Sequence, residues 1–220
     1  MPKPDVPSYP VYARAERVAD TTMHVIGLAG ALVGTIWLVI WGFERVSGGQ
    51  TLALAVYGVA LTAGFLASGI YHFTPWENLR PAFRRADHAA IYFKIAGTYT
   101  PLVVMIGSVT AYLVLAIVWV LAVYGAVRKI WFWHNPARNG IALYLVMGWL
   151  AVLLAGSLFH ALSGEALVLI AAGGLLYTAG VVFHVWESLK FANAIWHGFV
   201  LSASVCFFAA IALGVGLQAV

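Results

Sequence analysis

The sequence is poor in charged residues and in cysteine, and each scarcity excludes a class of protein. Only 9% of the 220 residues are Asp, Glu, Lys or Arg, whereas a water-soluble domain carries about 25%. Lipid must therefore cover most of the surface. The single cysteine, Cys206, excludes an internal disulfide framework and a metal site built from several cysteines. No nucleic-acid partner is expected, because the basic residues that give the net charge of +4 mark the cytosolic side of a membrane protein.

Hydrophobic residues, at 63% of the chain, fall into long runs. A helix needs about 20 apolar residues to cross the hydrocarbon core, and its backbone amides must be satisfied within the segment. We therefore predict an all-α integral membrane protein with a bundle of seven transmembrane helices. An N-terminal segment covers residues 1–21 and a membrane domain covers 22–216, with spans at about 22–43, 51–72, 88–107, 109–127, 141–159, 166–186 and 193–216.

The basic residues indicate how these spans are oriented. Cytosolic loops of membrane proteins carry an excess of Lys and Arg. Arg45 is alone in the odd-numbered connectors, whereas the N-terminal segment and the even-numbered connectors hold Lys3, Arg14, Arg17, Arg80, Arg84, Arg85, Arg128, Lys129, Arg138 and Lys190. We expect a multi-pass protein of the cytoplasmic (inner) membrane with its N-terminus in the cytosol and its C-terminus outside.

Polar side chains cluster at the span ends that this orientation places toward the cytosol. Ser68 and His72 close the second span one helical turn apart, and Asn193 and His197 open the seventh with the same spacing. Further members of this group are Asp20, His24, Asp87, His88 and His184. Ionisable groups in spans are costly and mark a function or a satisfied network. Histidine with aspartate at one depth is a zinc donor set, and the same residues also fit a hydrogen-bonded network that ties helix ends together.

Two side chains of this group, Asp87 and Ser68, and the nearby Lys94 each have a structural alternative. Asp87 is either a helix N-cap for the third span or a group that handles a metal-bound water. Ser68 either lies beside a metal or packs between helices. Lys94, two turns into the third span, either snorkels to the cytosolic interface or pairs with a lipid headgroup or with Asp87.

Several motifs resemble one known family. They are Ser68-Gly-Ile-Tyr-His72, then Asp87-His-Ala-Ala-Ile-Tyr92 followed by Ile95-Ala-Gly-Thr-Tyr-Thr-Pro101, then Gly173-Gly-Leu-Leu-Tyr-Thr-Ala-Gly180, and Ala194-Ile-Trp-His197. In these segments the chain resembles the hemolysin III family. That family is the bacterial branch of the progestin and adipoQ receptor superfamily, which includes the adiponectin receptors. The resemblance extends over nearly the whole chain.

The resemblance implies a zinc ion near the cytosolic face of a seven-span bundle. It places His72 and His197 as metal ligands and adds Asn193, which stands where the family has a further ligating histidine. It also implies that Asp87 and Ser68 lie close to the metal and its water as catalytic groups. An amide oxygen is a poor zinc ligand compared with imidazole. Either Asp87, His24 or His184 therefore supplies the third protein ligand, or zinc binds weakly, or the cluster is structural.

Three functions are compatible with these residues. The first is a zinc-dependent hydrolase of lipid amide or ester bonds, ceramidase-like by analogy with eukaryotic relatives, in which Asp87 takes a proton. The second is a non-enzymatic protein of membrane homeostasis or lipid sensing. The third, a pore-forming cytolysin, ranks last because a conducting path needs polar residues through the whole bilayer and the outer halves of the spans lack them. Membrane lipids are the partners expected in the first two cases.

Overall fold

A computed structural model describes residues 12–132, 138–186 and 188–218, and within these ranges the chain is helical without any strand. The helices are α1 Arg14–Phe43, α2 Gly48–Phe73, α3 Arg80–Ile106, α4 Val109–Trp131, α5 Arg138–Trp149, α6 Ala155–Ala161, α7 Gly164–Val185 and α8 Ala192–Gln218. A 3₁₀ turn, Leu150–Leu154, joins α5 to α6. In the described residues seven helical segments are long and apolar enough to cross a membrane. The predicted seven-helix membrane bundle is therefore confirmed.

Several helices continue past the apolar stretches into polar sequence. α3 begins at Arg80, well before the apolar run that starts near 88, and Pro81 stands in its first turn, where a proline is tolerated because the missing N–H has no helical partner. The start of α1 at Arg14 likewise adds a turn that carries Glu16. These extensions carry polar side chains at one end of the bundle. The residues at which each helix enters and leaves the hydrocarbon core stay predictions.

Serine caps start three of the helices at the opposite end. The Ser47 hydroxyl accepts a hydrogen bond from the backbone N–H of Gln50 at the start of α2. The hydroxyls of Ser108 and Ser163 do the same at the starts of α4 and α7. A serine oxygen satisfies one of the four amides that lack a partner in the first helical turn. The other end, where α1, α3, α5 and α8 begin, is called the histidine end below.

Small residues set the close packing of α2 against its two neighbours. A Cβ atom at Gly58 would lie 2.1 Å from Thr35 Cγ2 of α1, and a Cβ atom at Gly97 of α3 would lie 2.6 Å from the Ala60 Cβ atom of α2. Glycine and alanine let membrane helices approach closely enough for van der Waals packing to hold them. α2 is thereby fixed between α1 and α3, with Ser68 buried near its end.

The fifth span is interrupted in its middle, and α3 stabilises the interruption. Tyr99 of α3 has its hydroxyl 2.7 Å from the Met147 carbonyl oxygen and 2.9 Å from that of Gly148. These carbonyls lie just before the 3₁₀ turn, where the helical hydrogen-bond pattern changes. The tyrosine hydroxyl can donate its one hydrogen to either carbonyl oxygen, and this contact joins α3 to the fifth span at the interruption.

Candidate metal centre

Three histidines from three different spans meet at the histidine end. His24 of α1, His72 of α2 and His197 of α8 have potential ligand nitrogens within 4.8 Å of one another. Their ring centroids lie 4.2 Å apart for His24 and His197, 4.8 Å for His72 and His197, and 5.2 Å for His24 and His72. Their side chains are almost fully buried. This histidine trio is the one group in the described chain whose His, Cys, Asp or Glu donors have the spacing of a metal site.

Asp20, one turn before His24 on α1, orients all three rings. His197 Nδ1 donates a hydrogen bond to Asp20 Oδ1 at 2.6 Å, and His24 Nδ1 donates to the Asp20 backbone carbonyl at 2.9 Å. His72 Nδ1 lies 3.5 Å from Asp20 Oδ2. Carboxylate and carbonyl oxygens only accept hydrogen bonds, so the Nδ1 atoms that face them carry the protons. The lone pairs of His24 and His197 are consequently on Nε2.

Ser68 of α2 lies where two of these lone pairs converge. Its Oγ is 3.0 Å from His24 Nε2 and 3.4 Å from His197 Nε2. One hydroxyl hydrogen can be donated to only one of the two nitrogens. At least one of the two Nε2 atoms therefore receives no hydrogen from Ser68. An imidazole nitrogen whose lone pair is not used by a hydrogen bond can bind a cation.

The donor set fits zinc. Zinc is held by neutral imidazole nitrogens in catalytic sites with three protein ligands. Ligating histidines almost always donate their other N–H to a carboxylate or a backbone carbonyl, as His197 and His24 do to Asp20. The Nε2 atoms of His24, His72 and His197 would hold the ion, with Asp20 as the group that fixes the tautomers.

The other predicted residues surround this trio. The Asp87 carboxyl group of α3 faces the Ser68 hydroxyl, and Lys94 and Arg84 are within electrostatic range of it. Asn193 lies in the wall of a cleft that also reaches Asp20 and His72. The catalytic roles of Asp87 and Ser68 and the ligand role of Asn193 stay predictions.

Of the three residues considered for the third ligand, the structure places His24 in the trio. His184 instead lies against other aromatic rings, with its centroid 6.3 Å from that of His88 and 4.9 Å from that of Trp196. The part played by Asp20 was missed, although its spacing of four residues from His24 placed both on one face of the first span.

The cleft opens at the histidine end, and a contact of Glu16 closes one side of it. Glu16 accepts hydrogen bonds from the backbone amides of Phe191 at 2.9 Å and Ala13 at 3.0 Å. Phe191, just before α8, has a φ of 63°, which is costly for a residue other than glycine. Glu16 thus joins the first turn of α1 to the connector before α8. The cleft beside this contact is lined by Asp20 and by His72 of the trio.

Comparison with known proteins assigns the chain to a family. The family model of the haemolysin-III related proteins matches residues 13–208. The chain belongs to the haemolysin-III related family. This confirms the resemblance seen in the motifs, and with the seven apolar helices it makes this haemolysin-III related chain a multi-pass membrane protein.

Similarity to individual proteins extends along almost the full length of the chain. The chain is 36% identical over 194 residues to Hemolysin-3 of Bacillus cereus, covering 88% of this chain and 89% of the relative. It is 34% identical over 194 residues to the Hemolysin-3 homolog of Bacillus subtilis (strain 168), covering 88% and 91%. Monocyte to macrophage differentiation factor of Homo sapiens is 28% identical over 206 residues, covering 89% and 83%. The metal-centre residues all lie inside the matched family region.

Proposed function

We propose that this haemolysin-III related protein is a zinc-dependent hydrolase that cleaves an amide or ester bond of a membrane lipid at the histidine end. The observation that carries the proposal is the histidine trio, with its Nδ1 atoms turned to Asp20 and two of its Nε2 atoms turned to Ser68. When bound, zinc supplies a Lewis acid for the carbonyl group and a water molecule that ionises near neutral pH.

The side chains around the trio have complementary roles in this proposal. Asp87 accepts a proton at a carboxylate oxygen and returns it to the leaving group, as a general base and acid do. The Ser68 hydroxyl lies between Asp87 and the nitrogens of His24 and His197, where it orients hydrogen bonds to the reacting oxygen. Asp20 holds the imidazoles in one tautomer, so that no reorientation is needed during the reaction.

A groove on the outer face of the bundle supports a lipid substrate. It runs between α1 and α2 and is lined by apolar side chains that include Leu28, Leu66 and Ile70. Phe73 lines both this groove and the cleft at the trio, and its ring centroid is 5.1 Å from that of His24. An acyl chain in the groove would therefore bring its polar linkage close to the site.

Lipid hydrolysis by purified protein tests the proposal. We expect zinc-loaded protein in nanodiscs to release fatty acid from at least one member of a panel of ceramides and phosphoglycerides. Asp87→Asn should lower the rate by about 10² or more, the range of general acid–base contributions. His72→Ala should abolish the reaction that depends on zinc, because it removes one of the three imidazoles that would hold the ion. His160→Ala, an exposed histidine at the opposite end, is the matched control and should leave the rate unchanged. The absence of fatty-acid release across the panel by fully loaded wild type would refute hydrolysis.

A lipid-sensing protein without turnover is the second candidate. It is favoured by the way hydrogen bonds of the cluster join α1, α2 and α8, because a change in helix packing would alter them. In this case the same panel shows no product for any variant, while His72→Ala lowers the melting temperature. A deletion strain would then show altered membrane fluidity under fatty-acid stress.

We also propose that the histidine end faces the cytosol of a cell whose cytoplasmic (inner) membrane holds the protein. Apart from Lys94 in the interior of α3, the basic residues of the described helices collect at this end, and Arg45 lies at the other, as the positive-inside rule requires. An alkaline phosphatase fused to the C-terminus should be active and a green fluorescent protein fused there should be dark. The reverse pattern would contradict the orientation.

A further inference from the structure

Lys94 places an ammonium group inside the bundle. It lies seven residues after Asp87 on α3, about 10 Å farther from the histidine end at 1.5 Å per residue. Its Nζ is 4.6 Å from the ring centroid of Phe65 on α2 and 5.3 Å from that of Tyr177 on α7. α7 packs mainly against α8 rather than against α3. The Lys94 side chain therefore extends across the interior space that separates α3 from α7.

The surroundings of Lys94 distinguish this position from a snorkelling lysine. Phe65 is buried and packs where a Cβ atom at Gly27 of α1 would otherwise lie. The Tyr177 hydroxyl pairs with Ser204 in the middle of α8 at 3.0 Å. Phe65 is therefore a buried ring, and Tyr177 is a half-buried ring whose hydroxyl is turned toward α8. A snorkelling lysine extends toward the headgroups, whereas Lys94 extends toward these rings.

Within the described part of the chain, the ammonium group has no anionic partner at contact distance. Among the described side chains none accepts a hydrogen bond from Lys94 Nζ or forms an ion pair with it within 4.0 Å, and Asp87 and His197 influence it only electrostatically. An ammonium group has three donors. Two aromatic faces stabilise its charge in part without accepting these hydrogen bonds as an oxygen atom does. An intramembrane charge in this condition indicates a ligand site.

We propose that Lys94 Nζ binds the carboxylate of a single-chain anionic amphiphile inside the bundle, with Phe65 and Tyr177 lining the site. The inference deepens the proposed function and rests on it for the origin of the ligand, since hydrolysis of a lipid amide or ester releases a fatty-acid carboxylate. Lys94 lies on the interior side of the metal centre, within electrostatic range of His197. The site proposed for the carboxylate is thus on the same interior side of α3 as the centre at which hydrolysis would release it.

Binding of palmitate to metal-free protein tests the site independently of any turnover. Protein treated with a chelator is studied in detergent by native mass spectrometry with palmitate, hexadecanol and acetate as separate probes. We expect one palmitate per wild-type chain and at least a tenfold weaker affinity for Lys94→Met. Lys94→Arg should keep the affinity within a few-fold. Hexadecanol should bind wild type and Lys94→Met alike, and acetate should bind neither measurably.

Lys190→Met is the matched control, because Lys190 also lies over an aromatic ring, 5.6 Å from the centroid of Phe191, but in the connector before α8. It should bind palmitate as wild type does. Equal palmitate affinity in Lys94→Met and wild type overturns the site. The site is also overturned if Lys94→Met loses hexadecanol binding together with palmitate binding, because Lys94 then has only a structural role. If Lys94→Met does not fold, Lys94→Gln is used with the same criteria. A protein that binds palmitate through Lys94 but releases no fatty acid refutes the hydrolase alone.

Discussion

Replacing His24 with alanine is expected to remove stoichiometric zinc from the protein, whereas Asn193→Ala should retain it. His24 Nε2 lies in the histidine trio and its Nδ1 is held by the Asp20 carbonyl. Asn193 lies in the wall of the cleft, and an amide oxygen competes poorly with imidazole for zinc. Inductively coupled plasma mass spectrometry of detergent-purified protein should find about one zinc per chain in wild type and Asn193→Ala, and almost none in His24→Ala.

The melting temperature of each variant, compared with that of chelator-treated wild type, separates lost metal from lost fold. His24→Ala should melt at about the temperature of metal-free wild type, because a bound ion stabilises only the folded state that holds it. Full zinc content in His24→Ala together with loss of zinc in Asn193→Ala would mean that Asn193 of the seventh span, and not His24, is the third ligand. Loss in both variants would mean that the two residues hold the ion together.

Asp20→Asn is expected to weaken zinc binding by about 10–100-fold, the range for groups that support metal-ligating histidines. The neutral amide accepts a weaker hydrogen bond from His197 Nδ1 than the carboxylate does at 2.6 Å, which lowers the basicity of the opposite nitrogen. Asp20→Ala should in addition lower the free energy of unfolding by about 1–3 kcal/mol, because it leaves a buried donor without its acceptor.

Titration with a competing zinc chelator measures the change in affinity, and chemical denaturation measures the change in stability. Glu16→Gln is the matched control, since Glu16 precedes Asp20 by one turn on the same helix and contacts the Phe191 amide rather than the trio. Its zinc affinity should equal that of wild type. Unchanged affinity in Asp20→Asn, or an equal loss in Glu16→Gln, would show that Asp20 does not support the site.

The fold could be predicted from the sequence because lipid imposes one strong rule. Runs of about 20 apolar residues have to be helices in a bilayer, and seven such helices are found. The interruption of the fifth span was not predicted, and the contact that accompanies it comes from another helix. Tyr99 of α3 supplies the hydroxyl for the carbonyls of Met147 and Gly148, and no local propensity of residues 147–154 indicates that contact.

From the sequence, the candidate site could be predicted only as a group of polar residues at the same end of several spans, without the contacts among them. Spacing placed Ser68 with His72 and Asn193 with His197, and the basic connectors gathered them at one end. The choice of His24 over His184 depends on how α1 and α7 are rotated about their axes, which packing decides and spacing does not. The contact of Asp20 with His197 joins residues 177 positions apart, a distance over which a single sequence carries no pairing signal.

The 177-residue separation of Asp20 and His197 also has a consequence during biosynthesis. At roughly 5–20 residues per second, the ribosome delivers His197 about 10–35 s after Asp20. Throughout that interval the first helix carries a carboxylate whose strongest hydrogen-bond donor has not yet been made. Because an unpaired carboxylate is costly in hydrocarbon, the Asp20 end of the first helix should stay at the water interface until the last helix inserts. Metal loading would then mark a completed chain, since a nascent protein without α8 lacks one of the three imidazoles.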